Sequence, residues 1–258
     1  MENSLNVFFI VCPLAFLAGF VDSIAGGGGL ISLPAYLLAG VPVHAAMGTN
    51  KLSSSMGQAA ASFRYYKNGF VDLFICLPSI PAALAGSALG TSLTLLVNER
   101  YLQWLLAAVL PITAFYVLRK RELRAKEPAF SRPVTVIIAA LISFSIGGYD
   151  GFFGPGAGTF LILLYTGLAR IEVRTASGNA KLVNLASNLS ALVVFLIHGR
   201  VFLPLGLAAG VFSIAGSYLG SGIVIRRGAG ALRLFTLGVL VLLLIKIVYD
   251  IFAVNGSF

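Results

Sequence analysis

One long charged segment, Arg119-Lys-Arg-Glu-Leu-Arg-Ala-Lys-Glu-Pro-Ala-Phe-Ser-Arg-Pro133, divides this chain, and on both sides of it the sequence is a series of apolar runs. Before it, runs extend from about Val7 to Val21, Leu30 to Gly40, Ala45 to Tyr66, Phe70 to Val97 and Tyr101 to Leu118. After it, they extend from about Val134 to Ile146, Thr159 to Ala169, Thr175 to Ile197, Val201 to Ile225 and Ala231 to Phe252. Several approach or exceed the roughly 20 residues that cross a hydrocarbon core of about 30 Å, and none alternates in the period-two manner of a barrel strand. Only 10% of the 258 residues are charged and mean hydropathy is +0.95, whereas a soluble domain carries about 25% charged residues. The fold class is therefore all-α, a polytopic membrane helical bundle.

The two sides are repeats in sequence as well as in hydropathy. Gly19-Phe-Val-Asp22 with Gly26 and Gly28 matches Gly147-Gly-Tyr-Asp150 with Gly154 and Gly156, an offset of 128 from Asp22 to Asp150. Gly48-Thr-Asn-Lys51-Leu52 matches Gly178-Asn-Ala-Lys181-Leu182, and Ala85-Gly-Ser-Ala-Leu-Gly90 matches Ala215-Gly-Ser-Tyr-Leu-Gly220, both at an offset of 130. The chain thus divides into a first transmembrane repeat, 1–118, a basic linker, 119–133, and a second transmembrane repeat, 134–258.

Loop charge indicates that the repeats are inverted. Parallel repeats would place equivalent loops on one side, yet Val97 to Arg100 is nearly neutral while its counterpart carries Arg226, Arg227 and Arg233. With the linker inside, thirteen basic residues fall in the cytoplasm: Arg64, Lys67, Arg119, Lys120, Arg121, Arg124, Lys126, Arg132, Arg170, Arg174, Arg226, Arg227 and Arg233. Two, Arg100 and Arg200, fall outside, the asymmetry of the positive-inside rule. Both termini are then outside. This explains the net charge of +9 as a topology signal and removes nucleic acid as a partner. The first apolar run lacks a basic n-region and an Ala-x-Ala cleavage site and is expected to stay in the mature protein.

The same topology requires the first two units of each repeat to begin and end on one side, as a re-entrant or broken-helix hairpin followed by three spanning helices. Val7 to Val21 would reach about 22 Å and Leu30 to Gly40 about 16 Å as helices, both shorter than the core. Between them lies Asp22-Ser-Ile-Ala-Gly-Gly-Gly-Gly-Leu30. Its four consecutive glycines weaken a helix by roughly 4 kcal/mol against alanine. A break at that depth is tolerated where protein buries it or where it lines a watery cavity.

Lys51 and Lys181 hold equivalent positions, about six residues into the third unit of each repeat, and a two-fold axis in the membrane plane would bring them towards each other. Lysine at mid-membrane costs roughly 2.5 to 3.5 kcal/mol. Either an internal ion pair with Asp22 or Asp150 compensates for this, or the lysines belong to an anion site. The starts of the second half-helices, near Gly28 and Gly29 and near Gly156 and Gly158, also present N–H groups that favour negative charge. Thr49, Asn50, Asn179 and Asn184 join the lysines and these glycines as candidate substrate contacts. Ser53, Ser54, Gln58, Ser187, Asn188 and Ser190 add an unusual density of polar side chains, readable equally as interhelical contacts. Asp22 and Asp150 are open to three roles: capping a half-helix, holding a lysine, or carrying a coupling proton. Gly86 with Gly90, and Gly216 with Gly220, read as helix packing.

Nothing points to catalysis. Cys12 and Cys76 stand alone in apolar runs, His44 and His198 lie in loops without a nucleophile, and no metal or nucleotide motif is present. No cofactor is expected, the chain does not read as an enzyme, and assembly into a homo-oligomer is left open.

The stretches Asp22 to Gly29, Gly48-Thr-Asn-Lys51, Gly148-Tyr-Asp-Gly-Phe-Phe-Gly-Pro-Gly-Ala-Gly158 and Asn179-Ala-Lys-Leu-Val-Asn-Leu-Ala-Ser-Asn188 resemble the sulfite exporter TauE/SafE family. The resemblance covers nearly the whole chain. It implies a multi-pass transporter in a prokaryotic cytoplasmic membrane, moving sulfite, an organosulfonate such as sulfoacetate, or another small sulfur-containing anion. Export of an anion gains about 2.3 kcal/mol per unit charge per 100 mV of inside-negative potential, so it needs no coupling ion in principle. An anion-selective channel, or a transporter of another small anion, is the competing reading. A receptor or assembly factor comes after it.

Overall fold

The computed structural model describes residues 2–119 and 130–227. Linker residues 120–129 and the expected last helix from Ala231 to Phe252 lie outside the described residues. Nine α-helices and no strand occur among the described residues: α1 (Glu2–Ala25), α2 (Gly29–Leu38), α3 (Val43–Lys67), α4 (Leu73–Leu96), α5 (Glu99–Arg119), α6 (Arg132–Phe152), α7 (Ala157–Gly167), α8 (Val173–Ile197) and α9 (Leu203–Arg227). Five of them, α1, α4, α6, α8 and α9, are long and apolar enough to cross a membrane. α3 is as long as α8 at 25 residues, but the polar residues from Thr49 to Gln58 set it apart from that apolar group.

The hairpins differ from the expected pairs of short helices. α1 has 24 residues and α6 has 21, or roughly 36 and 32 Å at 1.5 Å per residue, so each hairpin joins a membrane-length helix to a short one. α2 and α7 have only 10 and 11 residues. α1 continues through Asp22 because Lys181 balances that charge at 3.1 Å, and Ser23 returns its hydroxyl to Phe20 O at 2.8 Å. It stops at Gly26, whose φ of +82° is the left-handed conformation that glycine adopts without strain. α6 runs on through Gly147, Gly148 and Gly151 because α4 lies against them. A side chain on Gly147 would meet Ala83, and one on Gly151 would meet Ser87.

Helix contacts come in pairs related by the repeat offset. α4 packs on α6 as α9 packs on α1; α3 packs on α9 as α8 packs on α4; α3 and α8 cross each other. The two halves are therefore interleaved. At the first of these interfaces a Cβ on Gly86 would collide with Phe144 O and one on Gly90 with Gly148 O. At the second, Gly216 and Gly220 stand in the same relation to Phe16 O and Phe20 O. These four glycines are small because backbone lies against them, the reading expected from the sequence.

The first apolar core, around Val11, Ile31, Tyr36, Met47, Leu102 and Phe195, lies beneath α1, α2, α3 and α5. A second, around Ala139, Ile142, Leu161, Tyr165 and Val183, lies between α6, α7 and α8. Outward faces carry exposed Leu77, Leu89, Ile137, Leu141, Val193 and Val211, an apolar surface of the kind a bilayer covers.

Candidate functional site

The two helix breaks meet. A Cβ on Gly26 would collide with the backbone of Gly158 and Thr159, and Thr159 Oγ1 donates to Ala25 O at 2.7 Å. Gly154 and Gly156 have φ of +94° and +85°, turning the chain from the end of α6 into the start of α7. The N-termini of α2 and α7 are thus held beside one cavity. Among the described residues, the N–H groups of Gly29 and Gly158 in those first turns have no acceptor, which leaves the positive ends of two helices unsatisfied.

Each lysine pairs with the aspartate of the other half. Lys51 Nζ lies 2.9 Å from Asp150 Oδ1 and donates to Asp150 O at 2.7 Å. Lys181 Nζ lies 3.1 Å from Asp22 Oδ2 and also donates to Asp22 O. Both ammonium groups therefore sit on carbonyls near the C-terminal ends of α6 and α1, where a helix favours positive charge. Asp22 also receives Gly28 N at Oδ1, 3.2 Å, so it holds a lysine and ties down the residue before α2. Asp150 takes its second hydrogen bond from Ser187 Oγ, 2.5 Å to Oδ2.

The cavity, together with the open solvent at its mouth, encloses ≈ 510 Å³. Of the ten residues expected to contact substrate, Lys51, Asn50, Asn184, Gly28, Gly29, Gly156 and Gly158 line it, with Asp22 and Asp150. Ser53, Ser54, Gln58 and Asn188 complete the polar wall. Asn50 Oδ1 accepts from Ser54, Gln58 Oε1 from Asn188, and Asn184 Oδ1 from Asn188. The amide nitrogens of Asn50, Gln58 and Asn184 have no acceptor among the described residues, although all three side chains are buried. Free amide donors, two helix N-termini and an ammonium can together solvate a desolvated oxyanion.

Lys181, Thr49 and Asn179 do not line the cavity. Lys181 is packed behind Asp22, with 1% of its surface exposed. Thr49 Oγ1 accepts Phe202 N at 2.9 Å, and Asn179 Oδ1 accepts Asp72 N at 2.8 Å, so each ties down the loop entering the fourth helix of the opposite half. Gly48 and Gly178 lie against Arg200 O and Phe70 O in those same loops. The twin Gly-Thr/Asn motif is therefore a docking point, two residues before a lysine that faces inward. Sequence reasoning missed Ser32, Ser213 and Ser217 as lining residues; the i, i+4 serines on apolar α9 were the available signal. His44, expected in a loop, is instead buried at the start of α3, with Nδ1 3.1 Å from Glu99 and Nε2 3.1 Å from Thr94 O.

A bundle with apolar outer faces, paired intramembrane charges and a polar cavity between broken helices belongs to the class of multi-pass membrane transporters. Residues 11–247 match the family described as Sulfite exporter TauE/SafE, and the chain belongs to that family. It is 36% identical to the Probable membrane transporter protein ORF9 of Sinorhizobium sp over 92% of this chain and 90% of the relative. A Probable membrane transporter protein of Haemophilus influenzae is 32% identical, covering 97% of this chain and 98% of the relative. YfcA of Escherichia coli K12, similarly titled, is 32% identical over 96% and 95%. No solved structure matches the chain significantly.

Proposed function

We propose that the protein exports a small sulfur-containing anion, such as sulfite or an organosulfonate, held near the bilayer midplane between the two glycine breaks. The observation that carries this reading is the convergence of the α2 and α7 N-termini on the cavity that also contains Lys51. Asn50 and Asn184 add donors, while Gly28, Gly29, Gly156 and Gly158 let the backbone approach the ligand. Lys181 contributes by holding Asp22 in place.

The reading includes two inverted repeats, 1–118 and 134–258, a cytoplasmic linker at 119–133 and both termini outside. Its support is the loop-charge asymmetry together with the offset-related helix contacts. Access to the cavity alternates as helices of the two interleaved halves move against each other, and the inside-negative potential drives the anion outward.

Transport of labelled sulfite and sulfoacetate in proteoliposomes tests this, with Lys51→Ala beside the parent. Loss of saturable flux in the variant is expected; undiminished flux sinks the anion site. Orientation is read separately with Arg121→Cys, which a membrane-impermeant thiol reagent should reach only from the cytoplasmic side.

A further inference from the structure

We infer that the anion crosses together with one proton, taken up by the carboxylate of Asp150; this rests on the anion reading above. The observation behind it is an asymmetry between the two ion pairs. Lys51 and Asp150 both face the cavity, whereas Lys181 lies behind Asp22 and out of a ligand's reach. A ligand can therefore compete for only one of the two lysines. Gly154 leaves the pair open on the cavity side: a Cβ there would make only ordinary contacts, 3.5 Å from Lys51 Nζ and 3.4 and 3.7 Å from Asp150 O and Oδ1.

Among the described residues, the charges at the cavity sum to zero: Lys51 and Lys181 against Asp22 and Asp150. An anion that takes the Lys51 ammonium leaves Asp150 a buried carboxylate supported by Ser187 alone. Among the described residues, no neighbour replaces the lost cation. α4 and α7 contain no Asp, Glu, Lys or Arg, and α8 faces Asp150 with Ser187 while its Lys181 is held by Asp22. On α6 itself, Tyr149 donates to Pro155 O at 2.7 Å. A buried charge without a partner is neutralised rather than kept. A proton from cavity water therefore binds Asp150 as the anion binds Lys51, and both leave together when Lys51 returns. Asp22 is not the acceptor, because Gly28 N and Lys181 hold both of its oxygens through the cycle.

The proton reduces the exported charge by one. A dianion still leaves with one net negative charge, so the membrane potential continues to drive it outward, while a monoanion crosses without net charge. Dianions are thus the substrates that this site exports against a gradient.

The test uses the full chain in proteoliposomes, with a pH dye inside and two sulfonates that have no neutral form at pH 7: sulfoacetate, a dianion, and methanesulfonate, a monoanion. One proton should accompany each anion, and potential should drive sulfoacetate but not methanesulfonate. Apparent affinity should rise as pH falls, by up to about tenfold per pH unit, the slope that one proton taken up with each anion gives. Asp150→Asn should abolish proton flux and remove the pH dependence of whatever sulfoacetate exchange remains; where that variant does not fold, the stoichiometry of the unaltered protein decides. Sulfoacetate flux without proton flux overturns the coupling and leaves the anion site standing. No saturable flux of either anion overturns both.

Discussion

Gly26 and Gly158 touch backbone to backbone, and that contact sets the two half-helices beside one cavity. A methyl group at position 158 would stand 2.9 Å from Gly26 Cα and O and 3.1 Å from Asn184 Nδ2, with rigid backbone on one side. Gly158→Ala should therefore cost about 1 to 3 kcal/mol through overpacking and spread the two N-termini, lowering Tm and flux together. Gly167, in the same helix, has nothing within 4 Å of the place its methyl group would take, so Gly167→Ala should leave both unchanged. Thermal unfolding in detergent, run beside proteoliposome flux, checks the pair.

The Lys51 and Asp150 pair can be separated into its structural and its functional part. Lys51→Ala strands a buried carboxylate and should destabilise by about 3 to 5 kcal/mol, whereas replacing both members with apolar residues of similar volume is often neutral or stabilising. The double variant Lys51→Met with Asp150→Leu should regain most of the lost Tm and none of the flux. If flux returned with stability, the pair would be a structural feature only.

Thr49 and Asn179 supply the opposite case. Removing the Thr49 hydroxyl by Thr49→Val leaves Phe202 N without its acceptor, a loss of about 1 to 3 kcal/mol for a buried donor, with the KM for the anion unchanged. Asn184→Asp instead places a negative charge in the cavity and should raise KM more than about tenfold, from Coulomb repulsion at an effective dielectric near 20. Measured KM and Tm should thus move separately in the two variants.

Much of this architecture was legible because the chain writes it twice. The offset of 128 to 130 residues identifies Asp22 with Asp150 and Lys51 with Lys181 from the sequence alone, and mid-membrane charges leave few partners to choose among. What the sequence could not show was how the pairs cross. A linear pattern does not reveal that Lys51 reaches Asp150 and Lys181 reaches Asp22, because that depends on α3 and α8 crossing between the halves. Nor could the repeat reveal that Lys51 faces the cavity and Lys181 does not, since identical motifs carry no record of which side is open. The end of α6 was misplaced for a local reason: Gly147, Gly148 and Gly151 resemble a helix stop, yet all three are helical, and α4 requires Gly147 and Gly151 to be small.

Packing of the equivalent glycines tests the repeat itself. Gly86 lies against Phe144 O as Gly216 lies against Phe16 O, so alanine at either site must push two helices apart by similar amounts, about 1 to 3 kcal/mol each. Gly148 faces the α4 interface too, but a Cβ there would meet Gly86 O at 3.6 Å, an ordinary contact. Gly148→Ala should be tolerated, and its gain in helix propensity of up to about 1 kcal/mol offsets any residual crowding. Comparable loss of Tm at Gly86 and Gly216, with none at Gly148, is the expected pattern. Equal losses at all three would mean that helix propensity and not backbone approach governs these glycines. Because α4 on α6 and α9 on α1 are among the contacts that bind each half to the other, flux should fall with Tm at the first two positions and persist at the third.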